Sequence, residues 1–225
     1  MHIHILSVGG SLIVPDEIDY FFLKEFKNLI LKYVSKGHRF IILCGGGKLN
    51  SKYNQAACRV SNIEKEDLDW IGIKATQLNA ELMRAVFGGI AYEKVITNPT
   101  EKIRTKKHII LGGGWKPGWS TDYDAVLVSK QYSSREIINL TNIDYVYDRD
   151  PRTNKDAKKF ESLTWVQYRK LITDKWSPRL STPFDPIAAK EAEKSKQKVV
   201  ILNGKNIRNL ENYFEGKHFE GTIIQ

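Results

Sequence analysis

The chain has 225 residues, of which 41% are hydrophobic, enough to bury a core as one domain or at most two tightly joined halves. No apolar run approaches the ~20 residues of a membrane span, and Cys44 and Cys58 alone offer no disulfide framework. A net charge of +9 invites a polynucleotide partner, but the lysines are scattered and the cluster from Lys190 to Lys198 alternates with Glu191 and Glu193. That is the pattern of a solvated helix face, so a small anionic substrate is favoured over nucleic acid.

In chain order, His2 to Val8 reads as a strand running into Gly9-Gly10-Ser11, with no signal-peptide pattern before it. The expectation is therefore a cytoplasmic chain without a membrane partner. Ile18 to Val34 carries apolar residues at helical spacing, and Gly37 suits the position just past its end. Arg39 to Cys44 is a second buried strand, followed by Gly45-Gly46-Gly47-Lys48 and a helix. A long helix is expected around Asp67–Phe87, ended by Gly88-Gly89, and strands over Ala91–Thr97 and His108–Leu111. Gly112-Gly113-Gly114-Trp115-Lys116-Pro117-Gly118 then leads to Ser120-Thr121-Asp122, which offers capping chemistry for a further helix.

Glu136–Leu140 is a fifth strand, and a turn beyond it delivers Thr141, Asp144, Tyr147 and Asp150. Residues 152–183 are polar and weakly periodic, and read as a mobile connection with a short helix over Thr164–Ile172. Asp185-Pro186 is an N-cap and first-turn pair for a helix through Ser195. A strand over Lys198–Leu202, a small helix near Asn206–Tyr213 and a strand at Thr222–Ile224 follow. Strands alternating with helices imply an α/β fold, a three-layer α/β/α sandwich around a mainly parallel sheet.

Three of these strands end in glycine clusters, and in a parallel sheet their carboxyl ends share one edge, where ligands bind. Backbone N–H groups there can hold several phosphate groups. No turn is a Walker loop, since Leu49 follows Gly47-Lys48, and none has the dinucleotide fingerprint. His2 and His4 read as strand-edge residues rather than metal ligands, and no metal site is expected.

Taken together, Val8-Gly9-Gly10-Ser11, Gly45 to Leu49, Asp69 to Ala80, Gly112 to Asp122, Thr141 to Pro151, Phe184 to Lys190 and Gly221-Thr222 resemble the amino-acid kinase superfamily. Within it they are most similar to the archaeal-type uridylate (UMP) kinases, with Asp69 ahead of Gly72-Ile73-Lys74-Ala75-Thr76-Gln77-Leu78-Asn79 as the most specific element. The resemblance implies a single domain over 1–225, with an acceptor half to about residue 134 and an ATP half from about 135. It implies transfer of the ATP γ-phosphoryl to UMP with Mg²⁺, in a homo-oligomer, dimer or hexamer, that has helices near Asp67–Phe87 at an interface. Gly9, Gly10, Ser11, Gly47, Thr141, Tyr147 and Asp150 would hold ATP. Gly46, Asp69, Gly112, Gly113, Gly114, Trp115, Lys116, Pro117, Gly118 and Thr121 would hold UMP, with Asp69 on the ribose. Asp122, Lys116 and Gly10 would act at the transferring group. The loop over residues 176–183 would be packing or a cover over ATP.

Four positions depart from the family pattern. Ser7 stands where many members have Lys, Ser51 where an Arg reaches ATP, and Tyr145 where the turn usually has Gly. Lys116 makes the third glycine loop one residue longer, and Lys48, Lys52 and Lys116 are candidate cations for the pocket. Alternatives are a same-fold kinase acting on isopentenyl phosphate or a carboxylate, or a catalytically weak nucleotide sensor. The first is disfavoured because Lys48-Leu49-Asn50-Ser51 lacks the His usual in that branch.

Overall fold

The computed structural model describes residues 2–172 and 182–225. β1 (Ile3–Val8) leads into a one-turn α1 (Gly10–Ile13) and α2 (Tyr20–Val34), and β2 (Arg39–Cys44) into α3 (Gly47–Val60) and α4 (Lys65–Phe87). β3 (Ile109–Gly112), α5 (Thr121–Gln131) and β4 (Glu136–Thr141) follow. Next come the short strands β5 (Val146–Tyr147), β6 (Lys159–Phe160) and β7 (Ser162–Leu163), then α6 (Trp165–Leu171) and α7 (Pro186–Lys194). β8 (Lys198–Asn203), α8 (Ile207–Phe214) and β9 (Thr222–Ile224) close the chain.

Seven strands form one sheet in the order β3-β2-β1-β4-β8-β9-β7, parallel throughout except where β9 runs against β8. Side chains alternate between the two faces, as the strand period requires. Leu6, Val8, Phe40, Ile42, Ile109 and Leu111 pack with α2, α4 and α8, whereas Ile5, Ile41, Leu43 and Ile110 pack with α5, α6 and α7. The expected three layers follow from this division.

Register places the glycine turns together: Val8 is level with Cys44 and Leu140, and Leu43 with Gly112. The first two turns touch backbone to backbone, because a Cβ on Gly10 would lie 2.0 Å from the Gly47 nitrogen. Only glycine fits there.

Several expectations change. Ala91–Thr97 is not a strand: it meets β3 only at Ala91–Ile109 and Ile96–Gly112, and the polar Glu93-Lys94 pair between them has no partner strand to join. Within the expected mobile connection the short helix is found as α6, with a Thr164–Gln167 capping box, while β6 and β7 are unexpected strands. Residues 173–181, including most of the expected ATP cover, lie outside the described residues. β1 is an interior strand, so His2 and His4 sit at its amino end rather than on a sheet edge. There the His4 ring stacks on His38 with centroids 5.1 Å apart. Burial, with the neighbouring His38 charge, pushes its pKa down to about 4.

Candidate active site

α4 is the bracket that holds the turns. Its Asn79 amide donates to the Gly45 carbonyl at 2.8 Å, fixing the second glycine turn. One turn earlier, Thr76 Oγ1 accepts from the Gly114 N–H at 2.6 Å and Gln77 Nε2 donates to the Gly114 carbonyl at 3.0 Å. Gly113 lies against the Gln77 backbone, so the third turn packs directly on the helix. Two turns nearer the N-terminus, Asp69 Oδ2 accepts from the Gly118 N–H at 2.9 Å. Gly118 has φ +81°, a left-handed turn that directs its N–H onto that carboxylate. Asp69, Thr76 and Asn79 occur at intervals of seven and three residues, one face of a helix.

Asp69 lies inside α4 and is not a helix cap. The helix begins at Lys65, four residues before it, with Glu64 at the N-cap position.

Between α3, α4 and the 114–121 loop lies a cavity of about 630 Å³, lined by the expected residues Asp69, Gly114, Lys116 and Thr121. Sequence reasoning missed Asn50, Asn54 and Lys65, which also line it. The Asn50–Asn54 spacing was the available signal, since i and i+4 share a face, and the two amides bond at 2.9 Å. Gly46, Gly112, Gly113, Trp115, Pro117 and Gly118, also expected there, do not line it.

Of the three candidate lysines only Lys116 lines the cavity. Its ammonium lies 4.1 Å from the Trp115 ring centroid and 4.6 Å from that of Trp119, held by the negative ring faces. Lys48 is exposed, and Lys52 is engaged at the surface with Asp16 and Glu17. Ser51 also lines this cavity.

Asp122 stands in the first turn of α5, whose cap is Ser120. Ser7 projects to the α5 face of β1, and its Oγ donates to Asp122 Oδ1 at 2.9 Å. The Asp185 backbone N–H donates to Oδ2 at 3.1 Å. Both carboxylate oxygens are thus oriented while the residue keeps partial exposure. Enclosure and then the Asp185 charge push its pKa up to about 6, against the pull of the two hydrogen bonds. With Ser7 in place of a lysine, no cation from β1 counters that rise.

A second cavity of about 350 Å³ is lined by Thr141, Tyr147 and Asp150, as expected, together with Arg149, Arg152 and Pro183. The Asp150 carboxylate is already paired with the Arg152 guanidinium at 2.8 Å, and Asp148 Oδ1 accepts from the Lys158 N–H at 2.8 Å. Tyr145 does not line this cavity; it packs edge-on to Tyr147 and under the Lys159 ammonium, 4.4 Å from its centroid. Gly9, Gly10, Ser11 and Gly47 line neither cavity and form the packed glycine turns themselves. Among the described residues no group of three or more His, Cys, Asp or Glu could hold a metal ion, and no helix is long and apolar enough to cross a membrane.

The chain matches the amino acid kinase family over residues 3–203. It is 34% identical to the uridylate kinase of Sulfurisphaera tokodaii and 34% identical to that of Thermococcus kodakarensis, in each case over 98% of both chains. The crystal structure of uridylate kinase from Archaeoglobus fulgidus superposes with a TM-score of 0.83 at 29% identity, covering 100% of each chain. With its turns bracketed by α4 and its likeness running end to end, the chain belongs to the amino acid kinase family and, within it, to the uridylate kinases.

Proposed function

We infer that this chain is a phosphotransferase that moves the γ-phosphoryl of ATP to UMP, giving ADP and UDP. One observation carries the acceptor assignment: Asp69 lines the larger cavity while its Oδ2 holds Gly118, so a carboxylate faces the acceptor beside the third glycine loop. A carboxylate there accepts from sugar hydroxyls and repels a phosphate. The acceptor phosphate belongs instead with Lys116 and the N–H groups of the glycine turns. The smaller cavity, with Thr141, Tyr147 and Asp150, takes the donor, which divides the single domain near residue 134.

An oxygen of the acceptor phosphate forms its bond to the γ-phosphorus as the bond to the ADP oxygen breaks. This reaction asks the protein for alignment and charge neutralisation. Gly10, Ser11 and Gly47 hold the donor chain, Lys116 neutralises the acceptor, and Asp122 orients the groups at the transferring phosphoryl. Bound with ATP, Mg²⁺ would supply neutralisation of the donor phosphates. The product serves pyrimidine nucleotide synthesis in the cytoplasm. α3 has no buried residue and, with α4, exposes Tyr53, Val60, Trp70 and Leu78, which supports a homo-oligomer joined through these helices.

Asp69→Asn tests the acceptor assignment. Weakening a hydrogen bond to a charged partner costs roughly 1.5–3 kcal/mol, one to two orders of magnitude in affinity. KM for UMP should rise by about that factor, with KM for ATP little changed. An unaltered KM for UMP would remove the ribose from Asp69.

Lys116→Met keeps the stem across the indoles and deletes the charge. Steady-state kinetics should show KM for UMP raised about tenfold or more with the melting temperature held. Parent-like kinetics would place the ammonium outside the phosphate site.

A further inference from the structure

Asn50 and Asn54 stand one turn apart on α3, and both line the larger cavity. The Asn54 amide nitrogen donates to the Leu68 carbonyl at 3.3 Å and to Asn50 Oδ1 at 2.9 Å. A carbonyl only accepts, so Leu68 fixes which end of the Asn54 amide is nitrogen. That nitrogen in turn fixes which end of the Asn50 amide is oxygen. Asn54 gives up its own oxygen to this arrangement, since its Oδ1 is buried with no hydrogen-bond partner among the described residues. A buried unpaired acceptor destabilises the fold, so the two donated bonds, not the satisfaction of Asn54, set the orientation.

With its oxygen committed, Asn50 has one end left. Nδ2 carries two N–H donors and has no partner among the described residues. The amide occupies a slot that two glycines leave open. A Cβ on Gly72 would lie 3.3 Å from both Nδ2 and Oδ1, and one on Gly46 would lie 3.0 Å from the Asn50 Cβ. This slot is beside the second glycine turn, where Gly46 caps α3 and the Asn50 backbone N–H donates to the Gly46 carbonyl at 3.4 Å. Asp69, three residues before Gly72 on α4, only accepts and suits hydroxyls. Asn50 Nδ2 only donates and suits the oxygens of an anion.

We propose that Asn50 binds the phosphate of the acceptor through Nδ2, and that Asn54 is the positioning residue that keeps the donor end of that amide toward the site. The role deepens the UMP kinase reading and rests on it for the identity of the acceptor. Asn54 itself touches no substrate; it acts through Asn50.

Calorimetric titration of the full chain with UMP and with uridine, which lacks the phosphate, separates this role from a sugar or base contact. Asn50→Ala should weaken UMP about tenfold, as loss of a hydrogen bond to a charged partner does, and leave uridine within twofold. Asn50→Asp still accepts from Asn54 but turns a carboxylate oxygen on the phosphate, so UMP should weaken further with uridine again spared. The Asp variant is isosteric and carries the test should the Ala variant fail to fold. Asn54→Leu leaves Asn50 intact but free to turn over, and should weaken UMP about threefold without affecting uridine. KM for UMP should follow these affinities, with KM for ATP within twofold of the parent. Unchanged UMP affinity in a folded Asn50 variant, or a loss shared equally by uridine, would overturn the phosphate contact. Parent-like UMP binding in Asn54→Leu would overturn the positioning role. Inorganic phosphate alone should shift the Asn50 side-chain NH₂ resonances in nitrogen-15 NMR, assigned by their absence from Asn50→Ala, and no shift would count against the contact. That titration requires no nucleotide, so the two readings fail separately. A parent that ignores UMP while its Asn50 amide answers inorganic phosphate refutes the acceptor and leaves the anion contact.

Discussion

Asp122→Asn lowers kcat by about two to three orders of magnitude, the scale on which one preorganised electrostatic contact acts in a transition state. The fold should survive, because the Asn oxygen can still accept from the Asp185 N–H while its amide NH₂ donates to the Ser7 hydroxyl, which can turn to accept. What it lacks is the negative charge, and the loss should fall on kcat more than on either KM. The parent carboxylate titrates near pH 6, so turnover that depends on the charged form should decline as pH falls through that value. The Asn variant should lose this limb of the profile. Because the folded pKa is raised, the charged form is also the less stable one. Asp122 therefore favours folding below the ordinary carboxylate range, and that contribution is lost as pH rises through about 6. A variant with parent-like kcat would remove Asp122 from the reaction.

Gly10→Ala should be the most damaging substitution to the fold among the small ones. Gly10 opens α1, where exchange of glycine for alanine ordinarily stabilises a helix. Here the added Cβ would sit 2.0 Å from the Gly47 nitrogen and 2.6 Å from the Gly45 carbonyl group. Those are backbone atoms, so the two turns must separate. Overpacking of this kind costs about 3 kcal/mol, or about 6–12 °C of melting temperature at this chain length. Activity should fall with stability, since the separated turns no longer hold the donor chain. Calorimetry showing a melting temperature equal to or above the parent would contradict this close contact.

Much of the architecture was legible because each buried strand is a continuous apolar run and each turn after it is built of glycine. Asp185-Pro186 announced α7 correctly, with the carboxylate accepting from the Ile187 and Ala188 N–H groups. The errors have local causes. Ala91–Thr97 has strand-like composition, but its pairing depends on β3, which it meets at two points only. β7 is two residues long and exists through its pairing with β9, some sixty residues later, which no local pattern announces.

The site shows the same division. The motif from Asp69 to Ala80 marked the acceptor region, but its work as a bracket for two glycine turns required α4 to be placed across the sheet edge. Ser7 and Asp122 are 115 residues apart, and only the parallel pairing of β1 brings the hydroxyl to the carboxylate.

The acceptor is decided by turnover of the full chain with ATP and Mg²⁺ across UMP, CMP, isopentenyl phosphate and an amino-acid carboxylate. ADP release is read together with chromatographic identification of the phosphorylated product. UMP should give UDP with kcat/KM at least about a hundredfold above the acceptors that lack a sugar for Asp69, because a site built to bond hydroxyls rejects ligands without them. Equal or faster turnover of isopentenyl phosphate or the carboxylate, or no UDP from UMP, would contradict the assignment.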